Sequence, residues 1–189
     1  MSDHPLAART ALPDALRALL AEYPRAGWPV HRHFDGLVSF WLDRHLTFRR
    51  LTALMRAETQ ALLDGSRAAD AFAARLSRAG GRFVADLEGH HHIEDAHYFP
   101  LLAAAEPRLA AGFALLDRDH QALEGEIAAF VAAANGALTV WRDGPALQDA
   151  AGRFLAALDG IERLLDRHLT DEEDLVVPVV LRHGPQVAG

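Results

Sequence analysis

The chain has 189 residues, enough for one domain with a sizeable core, because domains typically span about 50–200 residues. It carries 19 Lys and Arg against 26 Asp and Glu, and this net charge of −7 disfavours nonspecific binding to nucleic acid or to an anionic membrane. Cysteine is absent, which excludes thiolate nucleophiles, thiolate-ligated zinc and cysteine-ligated iron–sulfur clusters. Any metal must therefore be held by nitrogen and oxygen, and the 11 histidines are the first candidates.

Helical patterns run through almost the whole sequence. Ala, Leu, Arg and Glu dominate, and no stretch alternates apolar and polar residues for the length of a strand, so we expect an all-α fold. A short helical segment is predicted over 12–23. Four long helices are then predicted, over 34–63, from Ser66 to about 105, from Pro107 to about 136, and from Gly144 to about 184. Short connections predict an up-down-up-down four-helix bundle over 34–185, with an N-terminal extension over 1–33.

Other sequence signals are absent. The first residues include an acid and no apolar run of signal-peptide length, and no later stretch approaches the ~20 apolar residues of a membrane span. The chain has no glycine-rich phosphate loop, no Gly-x-Ser-x-Gly elbow and no basic aromatic patch. We therefore expect a cytoplasmic protein with neither nucleic acid nor membrane as a partner.

An internal repeat pairs a histidine with a glutamate four residues later. His90 and Glu94 recur 78 positions on as His168 and Glu172, and a second acid follows the glutamate in each copy. Residues i and i+4 project from one face of a helix, so each pair offers an imidazole and a carboxylate from one turn. Two such pairs form a ready two-metal site, because each histidine can bind one ion while the carboxylates bridge the ions.

Two single histidines extend this pattern. His45 lies on the first long helix and His120 on the third, so the chain reads as two helical hairpins related by a pseudo-twofold axis. A lone histidine on an apolar stripe is more often a satisfied core residue than a ligand. Burying four imidazoles and two carboxylates without a cation, however, leaves several costly unpaired groups. The joint pattern therefore predicts a metal centre.

These segments resemble the hemerythrin-like HHE cation-binding family. The resemblance rests on His-His-His-Ile-Glu-Asp at 90–95, on His-Leu-Thr-Asp-Glu-Glu at 168–173, and on the single histidines His45 and His120. It covers 34–183 and implies a four-helix bundle with a non-haem di-iron centre, two iron ions joined by an oxo or hydroxo bridge. It implies that the terminal ligands are His45, His90, His120 and His168. It implies that the bridging ligands are Glu94 and Glu172.

One position departs from the oxygen carriers that the chain resembles. They have a second histidine one turn after the ligand of the third helix, and this chain has Glu124 there. Because Glu124 lies four residues after His120, we expect it to point inward and to ligate or contact one metal ion. The alternatives are that it accepts a hydrogen bond from a ligating imidazole or pairs with Arg49.

The other histidines of the second long helix are expected outside the ligand set. His91 and His92 lie about 100° and 200° round the helix from His90, so His92 should face solvent. His97 lies about 20° from the direction of His90, and we expect it either to hydrogen-bond near the site or to be buried. Tyr98 is interpreted as core rather than as a gate residue.

The resemblance implies a protein that binds or senses dioxygen or a related diatomic ligand such as nitric oxide. The alternative is a di-iron enzyme on the same scaffold, which acts on peroxide or nitric oxide, or a protein that donates iron for the repair of iron centres. A third hypothesis is a partner-binding helical bundle with a vestigial site. A stable dioxygen adduct favours the first, turnover of the ligand the second, and absence of bound metal the third.

Overall fold

The computed structural model describes residues 4–34 and 36–188, so residues 1–3 of the predicted N-terminal extension lie outside it. The described residues form helices and no strand, which confirms the all-α class. The α-helices are α1 (Ala18–Glu22), α2 (Leu37–Leu63), α3 (Ala69–Ile93), α4 (Phe99–Ala105), α5 (Ala110–Thr139) and α6 (Gly144–His183). Within the described ranges, no helix by itself has the length and apolar character to cross a membrane, and one bent pair, Ala69–Ala105 with Pro107–Thr139, meets that test by length and composition only.

The ends of the long helices lie close to the predicted positions because local signals mark them. Gly65 follows α2 with a φ of 72°, and Gly184 follows α6 with a φ of 88°, the left-handed conformation that glycine adopts at helix ends. The start of α3 differs from the prediction. It begins at Ala69, and the Ser66 hydroxyl donates to the Ala61 carbonyl at the end of α2 instead of capping α3.

A π-helical turn, Glu94–Tyr98, separates α3 from α4, where the sequence predicted one continuous helix. The Phe99 N–H donates to the Glu94 carbonyl five residues back. Pro100, two residues after this turn, has no N–H to donate to an α-helical ladder. The wider turn rotates the following side chains, so the half-buried Tyr98 takes the inward direction and His97 is exposed. The expectation that His97 lies in the interior or beside the site is therefore wrong.

The helices divide into two compact units. The first unit comprises the described residues up to Leu46, together with His90–Ala122 and the residues from Leu165 onward. Its core joins apolar side chains from the N-terminal segment and from four of the helices: Leu12, Leu19, Trp28, Val38, Trp41, Phe99, Phe113, Leu116, Leu175 and Val180. The N-terminal segment thus helps to build the core of this unit.

The second unit comprises Thr47–Gly89 and Leu123–Leu164. Its centre is a row of four fully buried phenylalanine rings. The ring centroids lie 6.3 Å apart for Phe48 and Phe83, 5.4 Å for Phe83 and Phe130, and 5.4 Å for Phe130 and Phe154. Edge-to-face and tilted pairs at such distances contribute roughly 0.5–1.5 kcal/mol each beyond the burial of their area.

Phe83 tests the importance of this row, because its ring contacts two of the other three. We expect Phe83→Ala to lower the free energy of unfolding by about 3–5 kcal/mol. Phe40→Ala is the control, since Phe40 is 57% exposed, and its effect should stay within about 0.5 kcal/mol. Urea unfolding at equal metal content measures both variants, and equal losses would contradict the assignment of Phe83 to the core.

Candidate metal centre

Four buried or nearly buried histidines lie in the first unit as two pairs. The Nε2 atoms of His45 on α2 and His90 on α3 are 3.1 Å apart. The Nε2 atoms of His120 on α5 and His168 on α6 are also 3.1 Å apart. The structure therefore brings together the four histidines to which the repeat and its two single partners pointed, one from each long helix.

Glu94 lies between the two pairs, at the start of the π turn. Its Oε1 is 3.0 Å from Nε2 of His90, and its Oε2 is 3.6 Å from Nε2 of His120. The side chain is fully buried. Each oxygen of this carboxylate thus faces a different histidine pair.

Glu172 on α6 repeats this arrangement. Its Oε1 is 3.4 Å from Nε2 of His45, and its Oε2 is 3.5 Å from Nε2 of His168. The indole N–H of Trp41 also donates to Oε1. Two buried carboxylates therefore connect the same two histidine pairs, and carboxylates are the common bridging ligands of two-metal centres in helical bundles.

Several buried polar atoms of this cluster have no hydrogen-bond partner. They are both carboxylate oxygens of Glu94, Oε2 of Glu172, Nδ1 of His168 and Nε2 of His91. A buried polar atom left unpaired costs roughly 1–3 kcal/mol. A cation that accepts lone pairs from oxygen and nitrogen removes this cost for the carboxylates, so the donor set fits divalent metal ions such as iron, manganese or zinc.

The donor atoms form two groups in which ligand atoms lie within 4.8 Å of one another. One group contains His45, His90, Glu94 and Glu172, and the other contains His91, His120 and His168. Both groups lie within the first unit. The described residues thus include enough nitrogen and oxygen donors for two neighbouring metal positions.

The electrostatics of the cluster also favour a cation. Burial raises the pKa of Glu94 well above its ordinary value, and the negative charge of Glu172 raises it further. Burial also raises the pKa of Glu172, but His45 above all outweighs this effect and holds that pKa well below its ordinary value. Burial lowers the pKa of both His90 and His120 to about 3. The neutral imidazoles of His90 and His120, beside two buried carboxylates, are groups that a bound cation stabilises.

Two carboxylates hold the opposite ring nitrogens of the single histidines. Oε1 of Glu173 accepts a hydrogen bond from Nδ1 of His45 at 3.1 Å, and Oδ1 of Asp95 accepts one from Nδ1 of His120 at 2.8 Å. Such a bond selects the tautomer whose Nε2 lone pair faces the centre. Arg25 donates from Nη1 to Oε2 of Glu173 at 2.8 Å. The sequence signal for both carboxylates was the acid that follows each glutamate of the repeat.

Arg9 anchors the opposite side of the cluster from the N-terminal segment. The Nε of its buried guanidinium donates to Oδ2 of Asp171 at 2.7 Å. Nη1 donates to Oδ1 of Asp119 at 3.2 Å, and Nη2 donates to Oδ2 of Asp119. Oδ2 of Asp119 lies 3.7 Å from Nδ1 of His168. Arg9 belongs to no repeat or helical stripe, so no pattern in the sequence pointed to it.

Glu124 lies outside both groups and is exposed to solvent. The buried positions that follow His120 on α5 are Leu123 and Ile127. They lie about 60° and 20° to one side of His120, whereas Glu124 lies about 40° to the other side. The expectation that Glu124 points inward is therefore wrong, and the ligand set proposed below omits it.

The two histidines that follow His90 differ in their surroundings. His92 is exposed, as the helical geometry predicts. His91 was expected outside the ligand set, yet its side chain is buried and belongs to the group with His120 and His168. The sequence reasoning thus missed one imidazole of the cluster.

Comparison with protein-family models gives a match over residues 36–183 to the hemerythrin HHE cation binding domain. The chain belongs to this family. Comparison with curated proteins and with solved structures gives no significant match. The chain is thus a member of a family of cation-binding domains, and the two groups of histidines and glutamates are its candidate metal ligands.

The Arg9 contacts generate a stability prediction. Arg9→Ala leaves the buried Asp119 without its cation and removes one of the partners of Asp171, so the free energy of unfolding should fall by about 3 kcal/mol. Arg17→Ala, in the same segment, breaks only a pair with an exposed aspartate and should cost less than about 1 kcal/mol. Urea unfolding compares the two, and a loss in Arg9→Ala no greater than in Arg17→Ala would contradict the role of Arg9.

Proposed function

We propose that the chain holds two iron ions joined by an oxo or hydroxo bridge, and binds or senses dioxygen or a related diatomic ligand such as nitric oxide. The observation that carries this proposal is the placement of Glu94 and Glu172, each of which offers one oxygen to each histidine pair. A carboxylate in this position can span two ions. The proposed terminal ligands are His45, His90, His120 and His168.

A di-iron centre, when bound, supplies the electrons that a dioxygen ligand takes up. Zinc has no redox chemistry and cannot supply them. The protein's own part is to orient the ligands. Glu173 and Asp95 hold Nδ1 of His45 and His120, so that both Nε2 lone pairs face the ions. Trp41 fixes the orientation of the Glu172 carboxylate through its indole N–H.

Aromatic rings shield the cluster. The Trp41 ring lies 4.9 Å from that of Tyr98 and 6.1 Å from that of His90. On the other side, the Phe99 ring stacks at 5.5 Å on His120. Apolar walls of this kind exclude water and favour a small uncharged ligand. This surrounding supports a diatomic ligand over a large or charged substrate.

We propose that the four long helices follow the up-down-up-down order predicted from the sequence. Residues 64–68 alone connect α2 to α3, and residues 140–143 alone connect α5 to α6. Helices joined by connections this short run antiparallel in bundles. Each of the four long helices also contributes one of the proposed terminal ligands.

Removal of one ligand should lower the metal content. We expect His90→Ala and His168→Ala each to bind fewer than two ions and to be less stable, because the remaining buried donors lose their cation. His92→Gln is the matched control and should keep two ions, since His92 is exposed. Metal analysis of protein purified without chelators measures the content, and two ions retained in His90→Ala would exclude His90 from the ligand set.

The visible spectrum of the reduced protein tests the proposed ligand. The protein is first reduced under nitrogen, and air is then admitted. We expect a new absorption that disappears when the air is replaced by nitrogen. Continuous consumption of peroxide or nitric oxide would favour an enzyme instead, and transfer of iron to an iron-free acceptor protein would favour a repair function. Purified protein without bound metal, and unable to take up iron, would contradict the proposal.

A further inference from the structure

His91 is a buried imidazole that the proposed ligand set does not use. Its exposed fraction is only 7%, and its Nε2 has no hydrogen-bond partner. Buried side-chain nitrogens are nearly always paired in folded proteins, because an unpaired one has lost its bonds to water without replacement. The unpaired nitrogen of His91 therefore indicates a missing partner.

The ring of His91 lies beside two other imidazoles of the cluster. A ring nitrogen of His91 lies within 4.8 Å of ring nitrogens of both His120 and His168. The ring stacks on that of His120, with the centroids 4.0 Å apart and the planes at 12°, and meets that of His168 at 5.5 Å and 81°. The nitrogens of these three imidazoles are near enough to one another to be ligands of one cation.

The geometry of α3 explains how adjacent histidines can serve different metal positions. Measured from Glu94, which lies between the histidine pairs, His90 is about 40° to one side and His91 about 60° to the other. His90 accordingly lies beside His45, with Nε2 atoms 3.1 Å apart, while His91 lies beside His120. The two neighbours thus flank one bridging carboxylate.

We propose that His91 is a metal ligand, the third imidazole of the position that His120 and His168 form. This inference rests on the two-metal centre proposed above. The two ions then have unequal donor sets, since the group that contains His45 and His90 has two imidazoles. The pseudo-twofold repeat of the sequence therefore ends in an asymmetric centre, with three imidazoles on one ion and two on the other.

Zinc binding to the metal-free protein tests this assignment without relying on any activity. The unaltered chain should bind two Zn²⁺ ions. His91→Phe keeps an aromatic ring that can stack on His120 but offers no lone pair, so it should bind the second ion at least about tenfold more weakly. His92→Phe is the matched control, because it makes the same change at the adjacent exposed position and should bind both ions normally.

The outcomes separate the two proposals. If the unaltered chain and His91→Phe both bind two ions with the same affinity, the role of His91 is overturned and the two-metal centre stays intact. Fewer than two ions bound by the unaltered chain would overturn the two-metal centre itself, and with it the role of His91.

His91→Gly provides a second measurement if the phenylalanine variant does not fold. Added imidazole should restore its affinity for the second Zn²⁺, because the free ring can supply the missing nitrogen lone pair. Pyrrole, which has the same ring size and no available lone pair, should not restore it. Equal effects of imidazole and pyrrole, or no effect of either on a folded variant, would overturn the assignment.

Discussion

The burial of two carboxylates side by side is the constraint on which the rest of the site depends. Glu94 and Glu172 lie fully buried among imidazoles, and in a low-dielectric interior their negative charges repel one another. Burial and the charge of Glu172 raise the pKa of Glu94 well above its ordinary value, which reflects the cost of placing two negative charges side by side. A bound cation would compensate both carboxylates, and the imidazoles that converge on the same place are suitable donors for it.

Charge alternates outward from that centre. The imidazole of His45 bonds to the carboxylate of Glu173, which bonds in turn to the guanidinium of Arg25. On the opposite side, Arg9 bonds to Asp119 beside His168. Each layer compensates the charge of the layer inside it, as the outer contacts of metal-bound histidines generally do. The N-terminal segment supplies both arginines, and its apolar side chains lie in the core of the same unit.

Local backbone geometry sets which side chains reach the centre. The π turn begins at Glu94, and its wider winding turns His97 outward and Tyr98 inward. Before that turn the helix is regular, and Glu94 lies between the directions of His90 and His91. Adjacent residues of one helix therefore reach different neighbours, His90 beside His45 and His91 beside His120.

The sequence alone determined what depends on local spacing. Helix ends follow glycine and proline signals. The i, i+4 repeat, together with the single histidines His45 and His120, identified the side chains that meet in the structure and the family. Only the tertiary structure decided the positions of His91, Glu124 and Arg9. A helical period gives angles around one helix axis, but neighbouring helices decide which sector of each helix is buried. On α3 the buried sector includes His91, and on α5 it excludes Glu124. Arg9 reaches Asp171, a residue far along the chain, and an ion pair over such a separation leaves no periodic trace in the sequence.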